Sequence, residues 1–425
     1  MGGATPQSLK SGGVKSRGEK SLSINPFTNQ ATVSFLGTRW RMFWILIFGY
    51  VLSLLTLGIY RFWLVTKKRR FYWSNTLIDG EALEYTGTAV QLLVGFLIAV
   101  GVFLPLYGFF FFLSTQDPQT AMYGYSGAAL FLFFLSGYAA YRGRRFLLSR
   151  TMWRGIRFSQ SGNAWSYALR RFLWSVLTVV TLGLAYPFMV ASLWRYRYAN
   201  TWFGDRQCTF DGSWKNIAGP YYFIYFVFVG LLLAGIYYLG EATGGRRIDS
   251  ETMQSAPLAF GLIFGSLIFL SLSYFFMRSR ITSRMLSSLS LGKAKLKVRV
   301  KARSLIWQQV AHIIFLVLTA ILFLLLIGFV MGDVLEPLIQ SQKAELNDVL
   351  QLGWYNLVIF GLIYLAFMAN LAMLNELIFA LGFWRLVARG TIISNEQDLR
   401  TVRANGEESP LVGEGLADAL NVGAY

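Results

Sequence analysis

Eight uncharged apolar runs constrain this chain more than any other feature. They are Met42–Tyr60, Ala89–Ser114, Thr120–Tyr141, Phe172–Trp194, Ala218–Gly240, Ala256–Met277, Ala311–Gly332 and Gln351–Asn375. Each reaches about the 20 residues needed to cross a hydrocarbon core of about 30 Å. A soluble protein with eight buried helices would need much more amphipathic surface. With 55% hydrophobic, 17% aromatic and only 14% charged residues, the composition excludes that class as well. The expectation is a polytopic α-helical membrane protein. Its net charge of +18 follows from basic residues in the inter-helix loops, as the positive-inside rule requires, and does not call for nucleic acid. A single cysteine, Cys208, excludes a disulfide framework, and a single histidine, His312, excludes a His-rich metal site. No nucleotide loop, metal cluster or triad is visible, so no catalytic, cofactor or metal residue is assigned.

The second constraint is an internal repeat. Residues 56–87 return as 181–212 at a constant offset of 125, with 8 of 32 positions identical. Thr56-Leu57-Gly58 matches Thr181-Leu182-Gly183, Arg70 matches Arg195, Asn75-Thr76 matches Asn200-Thr201, and Gly87 matches Gly212. Chance would give about two identities, so the pattern reads as a duplication.

Loop charges set the topology. Residues 142–171, 195–217 and 278–303 are basic, the last with nine basic residues and no acid. The loops at 114–119, 241–255 and 333–350 are acidic or mixed. Runs two and three, five and six, and seven and eight then form spanning hairpins, with both termini cytoplasmic. Runs one and four begin and end on the cytoplasmic side. Gly58 and Gly183 permit a reversal, and Pro187 disfavours a continuing helix. Both runs read as re-entrant or broken helix pairs. They are expected inside the bundle, because lipid does not tolerate unpaired backbone. The alternative is that both span and depart from the positive-inside bias.

Period-two alternation appears at 31–37, 82–87, 156–159 and 207–212, and most clearly at Lys293–Arg303. Short strands are unstable alone, so they should pair into a small cytoplasmic β-sheet layer. The resulting fold class is an all-α polytopic membrane protein with internal repeats and that small layer. Its parts are a disordered basic tail (1–30), membrane repeats at 31–141 and 142–277, a degenerate third unit (278–390) with the basic strand 293–303, and an acidic tail (391–425).

Phe35-Leu-Gly37, Thr56-Leu-Gly-Ile-Tyr60 with Trp63, Arg70–Thr76, Tyr85-Thr-Gly87 and Ser149–Phe158 together resemble the YjgN-like family of bacterial inner-membrane proteins, a domain of unknown function. The resemblance spans roughly 31–390. It implies a bacterial inner membrane and carries over no substrate or catalytic residue. It also implies a third Thr-Leu-Gly, of which Ala380-Leu-Gly382 is a degraded version.

Among candidate sites, Glu376 is the most deeply placed acid, either a proton or cation site or half of a structural ion pair with Arg385. Asn75-Thr76 and Asn200-Thr201 could line a pseudosymmetric polar site, although Asn also caps helices, and Thr56 and Thr181 are further polar candidates. Arg69, Arg70, Arg195 and Arg197, with Lys295, Lys297 and Arg299 on the basic strand, could contact anionic lipid headgroups; snorkelling arginines in an aromatic belt are the plainer account. His312 is expected as an interfacial anchor, and Gly261-x-x-x-Gly265 as a close helix contact. Gly58, Gly183 and Pro187 are structural breaks. The functional expectation is a non-catalytic transporter-like module for a small solute or lipid, with membrane lipids as partners. The alternative is a membrane scaffold whose sheet binds anionic lipid or a protein.

Overall fold

The computed structural model describes residues 30–244, 256–340 and 354–405, the side chains of 331–340 excepted. β1 (Gln30–Phe35) leads into α1 (Arg39–Leu55) and α2 (Arg61–Ser74), then β2 (Thr76–Ile78), β3 (Glu81–Ala82) and β4 (Glu84–Tyr85). α3 (Ala89–Ser114) and α4 (Pro118–Ser149) precede β5 (Thr151–Trp153) and β6 (Ile156–Gln160). α5 (Ala164–Val180) and α6 (Tyr186–Ala199) precede β7 (Thr201–Phe203) and β8 (Arg206–Phe210). α7 (Lys215–Thr243) and α8 (Pro257–Leu286) precede β9 (Leu289–Leu291) and β10 (Ala294–Val298). Last come α9 (Ala302–Gln340), α10 (Trp354–Leu374), a π-helical turn (Asn375–Ala380), α11 (Leu381–Arg389), β11 (Thr391–Ser394) and a 3-10 turn (Glu396–Thr401).

The strands form one sheet of 11, in the order β3-β2-β1-β11-β10-β9-β8-β7-β6-β5-β4. Every pairing is antiparallel. The two end strands, β3 and β4, are joined through the single residue Leu83. The sheet is therefore a nearly closed up-and-down barrel, an arrangement that leaves little exposed edge. This overturns the expectation of an all-α protein with a small sheet layer. The strands are too short to show individually, and β5, β7, β9 and β11, of three or four residues, carry almost no periodicity of their own. Only their closure into a ring makes them stable.

Direction alternates around the ring, so its connections alternate between two ends. At one end are two-residue turns. Asp79-Gly80 and Arg154-Gly155 have positive φ at both residues, as a type I′ turn requires; Gly204-Asp205 and Gly292-Lys293 have it only at the glycine, as in II′. At the other end every connection is a helical hairpin: α1–α2, α3–α4, α5–α6, α7–α8 and α9–α11. Among the described residues, five helices are long and apolar enough to cross a membrane: Ala89–Ser114, Lys215–Thr243, Pro257–Leu286, Ala302–Val330 and Trp354–Arg389. The helices within a hairpin touch through small residues and rings, as at Gly49 against Leu64, Gly235 against Ile263, and Phe323 against Phe367.

Other expectations change. The basic strand is Ala294–Val298, and 302 onward is helix. Residues 391–405, assigned above to the acidic tail, contain β11 and the 3-10 turn. Ala380-Leu-Gly382 is not a break: the chain passes through it as helix, with Gly382 against Gln308. Gly261 and Gly265 meet no neighbour; in α7–α8 the close approach is at Gly235. The tail at 1–29, most of the loops at 241–255 and 333–350, and residues 406–425 lie outside the described residues.

Candidate functional site

Both Thr-Leu-Gly sequences end a helix in the same way. Gly58 N donates to Ser53 O (2.6 Å) and Leu57 N to Leu54 O; Gly183 N donates to Thr178 O (2.6 Å) and Leu182 N to Val179 O. This pair of bonds is the Schellman motif, with the leucine and the glycine left-handed. The threonine then holds the next helix. Thr56 Oγ1 donates to Leu52 O (2.7 Å) and accepts from Tyr60 N (3.0 Å). Thr181 Oγ1 donates to Leu177 O (2.7 Å) and accepts from Ala185 N (3.1 Å). Pro187 sits in the first turn of α6, where a missing N–H costs nothing.

These turns are not buried inside a bundle, as expected, but project as apolar tips, with Leu57 95% and Leu182 79% exposed. Sequence reasoning took buried protein to be the only place for a broken helix in lipid. The threonine supplies the missing bonds locally, so that requirement falls away. The two tips differ in one respect. Tyr221 OH donates to Gly183 O (2.8 Å), whereas a Cβ placed at Gly58 would have nothing within 4 Å.

The helix-to-strand rim is built from a second repeated device. Thr76, Thr151, Thr201 and Thr391 each open a strand and donate a hydroxyl hydrogen bond to the carbonyl four residues earlier, at 2.7–2.8 Å. Six residues before these threonines stand Arg70, Arg145, Arg195 and Arg385. Arg70 reaches Gly87 O (3.4 Å), Arg195 reaches Gly212 O (3.2 Å) and Arg385 reaches Gly37 O (2.8 Å). At each of these glycines a Cβ would strike the aromatic ring two residues before it. Trp384 Nε1 donates to Thr76 Oγ1 and Trp73 Nε1 to Thr151 Oγ1, both at 2.9 Å, linking neighbouring hairpins. The Arg-x5-Thr spacing is visible in the sequence: beyond 70–76 and 195–201 it recurs at 145–151 and 385–391.

Asn75 and Asn200 are helix C-caps whose amides donate to Phe71 O and Tyr196 O at 2.7 Å. Arg69 donates to Tyr85 OH (3.1 Å), and Arg197 lies over the Trp194 ring. Lys295, Lys297 and Arg299 are exposed on the outer face of β10 and beyond its end. His312 is half-buried on α9, its Nδ1 without a partner among the described residues. Glu376 is buried in the π-helical turn, bonded to Lys68 Nζ (2.8 Å) and Tyr72 OH (2.7 Å). Its partner is therefore Lys68 and not Arg385.

The barrel interior holds an apolar cluster drawn from strands around the ring, including Ala31, Trp153, Phe203, Ala294 and Ile393, with Leu399 and Val402 from the 3-10 segment. Beside it is a cavity of about 250 Å3. Arg144 and Tyr198, from the ends of α4 and α6, border it, as do Cys208 and Leu399. Burial pushes the Cys208 thiol up to about 11.

At the two-residue-turn end, a charge network fastens the 3-10 segment. Arg154 reaches Asp79 (3.3 Å), Glu81 (2.7 Å) and Glu396 (3.3 Å), and Arg400 reaches Asp79 and Glu396. Asp398 accepts from Arg206 and from Lys293 N (2.8 Å). Burial and the adjacent Glu396 hold the Asp79 carboxyl above its ordinary value. Burial would raise Glu396 too, but the Arg400 hydrogen bond and its charged neighbours hold it below. The bonds from Lys293 N and Arg206 lower Asp398.

No group of three or more His, Cys, Asp or Glu residues that could hold a metal ion occurs among the described residues. No solved structure matches the chain. It is similar to the inner membrane protein YjgN of Escherichia coli (strain K12), 28% identical over 154 residues, which is 36% of the length of each protein. A family model described as "Bacterial protein of unknown function (DUF898)" matches residues 30–419. Covering nearly the whole chain, that match carries through the barrel, the five described helical hairpins and the 3-10 clasp, and the protein belongs to this family of bacterial proteins of unknown function.

Proposed function

We propose that this protein is a non-catalytic scaffold of the bacterial inner membrane, whose helical hairpins suspend the barrel at the cytoplasmic face. The observation that carries this reading is the one-sidedness of the ring: each helical hairpin leaves from the same end. If that end faces lipid, all two-residue turns and the 3-10 segment lie on one side of the membrane. The basic loops argue that this side is the cytoplasm. α1 and α5 have 17 residues each, about 25 Å of helix, and their tips satisfy their own backbone. Both features support re-entrant hairpins that stop within the bilayer. The hydrogen bonds shared at an offset of 125 support descent from a duplicated unit. The printed name of the relative supports an inner-membrane location.

A transporter-like role is the second reading. It rests on Glu376, an acid buried within a π-helical turn of an apolar helix, a combination frequent at functional sites. The two broken helices end in surface tips and line no described cavity, so the scaffold is the better reading.

Single cysteines in a Cys208→Ala background test the scaffold. Gly80→Cys and Lys293→Cys should react with a charged thiol reagent only from the cytoplasmic side. Gln116→Cys should react from outside, and Leu57→Cys from neither side. Outside labelling at residue 80 or 57 would defeat the arrangement.

A further inference from the structure

We propose that the barrel interior binds a small monocarboxylate with an apolar body of about eight carbons. This site is independent of the scaffold reading. The cavity lies among Trp153, Phe203, Leu291, Leu296 and Ile393 and has no acid in its lining. By proportion with a 150 Å3 cavity that holds benzene, 250 Å3 accommodates about ten non-hydrogen atoms, the size of an eight-carbon carboxylate. Two of the polar groups at its border are donors without acceptors among the described residues. Arg144 lies 4.4 Å over the Tyr198 ring. Its Nε and the Nε1 of Trp153 are buried with no hydrogen-bond partner among the described residues. Buried polar groups are ordinarily bonded, and each exception asks for a missing partner. A guanidinium Nε and an indole N–H, both unpaired at one apolar cavity, fit an anionic acceptor carried on a hydrocarbon body. A carboxylate would meet the Arg144 guanidinium in a charge-assisted bond while its chain fills the space between the rings.

Cys208 reports on occupancy, because it is the chain's single cysteine and it borders the cavity. The full-length protein in nanodiscs would be labelled with a small uncharged thiosulfonate at alkaline pH, with millimolar octanoate, with octanol, or alone. Octanoate should slow the labelling about tenfold, and octanol much less, since octanol lacks the charge that the Arg144 guanidinium would meet. Arg144→Gln should remove the protection. Ala294→Leu, which fills the cavity, should remove the dependence on octanoate while melting as a folded protein. Unchanged labelling of the wild type by octanoate would overturn the proposal in favour of water alone. Equal protection by octanol, or undiminished protection in Arg144→Gln, would overturn the anionic class.

Discussion

Lys68 Nζ lies 2.8 Å from Glu376 Oε2 across 308 residues of sequence, with Glu376 Oε1 accepting from Tyr72 OH. The pair joins the first helical hairpin to the last, beside the place where β1 and β11 close the ring. It fixes Glu376 as one end of a link between the chain's two terminal units.

Breaking that pair should cost more than removing it. Glu376→Leu strands a half-buried ammonium, and Lys68→Met strands a carboxylate whose side chain is 6% exposed. Each single change should destabilise by about 3–5 kcal/mol, and the double change by less than either. Melting in detergent across the cycle gives the comparison. A double variant as poor as the sum of the singles would mean the charges do not act as a pair.

The tip threonines should matter through their hydroxyls. Thr56→Val and Thr181→Val keep the shape but leave Tyr60 N and Ala185 N without their acceptors. Each should lose about 1–3 kcal/mol. Serine should restore most of it, read as thermal stability in the same detergent.

Gly58 needs its left-handed φ of +89°, which valine resists. Gly58→Val should therefore destabilise more than Gly101→Val, since Gly101 also meets nothing within 4 Å but keeps helical φ. Gly49 would be an unsuitable control, since a Cβ there would strike Leu64 and part α1 from α2. Gly183→Val should be the worse of the two tip variants, because Tyr221 OH would lie 3.3 Å from the new Cβ.

Acid should loosen the 3-10 clasp. Asp398 and Glu396 have lowered values in the folded protein, so their contribution is present above the ordinary carboxylate range and lost as pH falls below about 4. Asp79, held high, has the opposite sign: its contribution is lost as pH rises through its folded value. The protection factors of residues 395–405, measured against the intrinsic exchange rate at each pH, should fall on acidification, and those of Asp398→Asn should be low at neutral pH as well. Protection factors that are flat with pH in the wild type would contradict this assignment.

The membrane class and the helix breaks were legible because they rest on local signals, namely uncharged length and the Thr-Leu-Gly reversals. The barrel was not, because its evidence is non-local. Three-residue strands such as Thr201–Phe203 become strands only when a partner from another hairpin arrives. The glycines of Asp79-Gly80, Arg154-Gly155, Gly204-Asp205 and Gly292-Lys293 were visible as turn signals, and together they mark the evenly spaced hairpins of a meander. The cavity had no signature, since Arg144, Trp153 and Cys208 meet only after the ring closes. Glu376 stood out as a buried acid, but its partner Lys68 looked like one of a loop's topology-setting cations.

The closure of the barrel by the chain's two ends is the claim on which the rest depends. Thr32 and Ile392 are paired residues of β1 and β11 and are both exposed, so cysteines at these positions in a Cys208→Ser background test it directly. Under mild oxidation the pair should form an intramolecular disulfide in native membranes, shown by a mobility shift that reductant reverses. Cysteines at Thr32 and Ser159, which lie on strands apart in the ring, should not. A Thr32/Ile392 pair that stays reduced under conditions that link paired positions on β7 and β8 would show that the ring is open and the barrel misassigned.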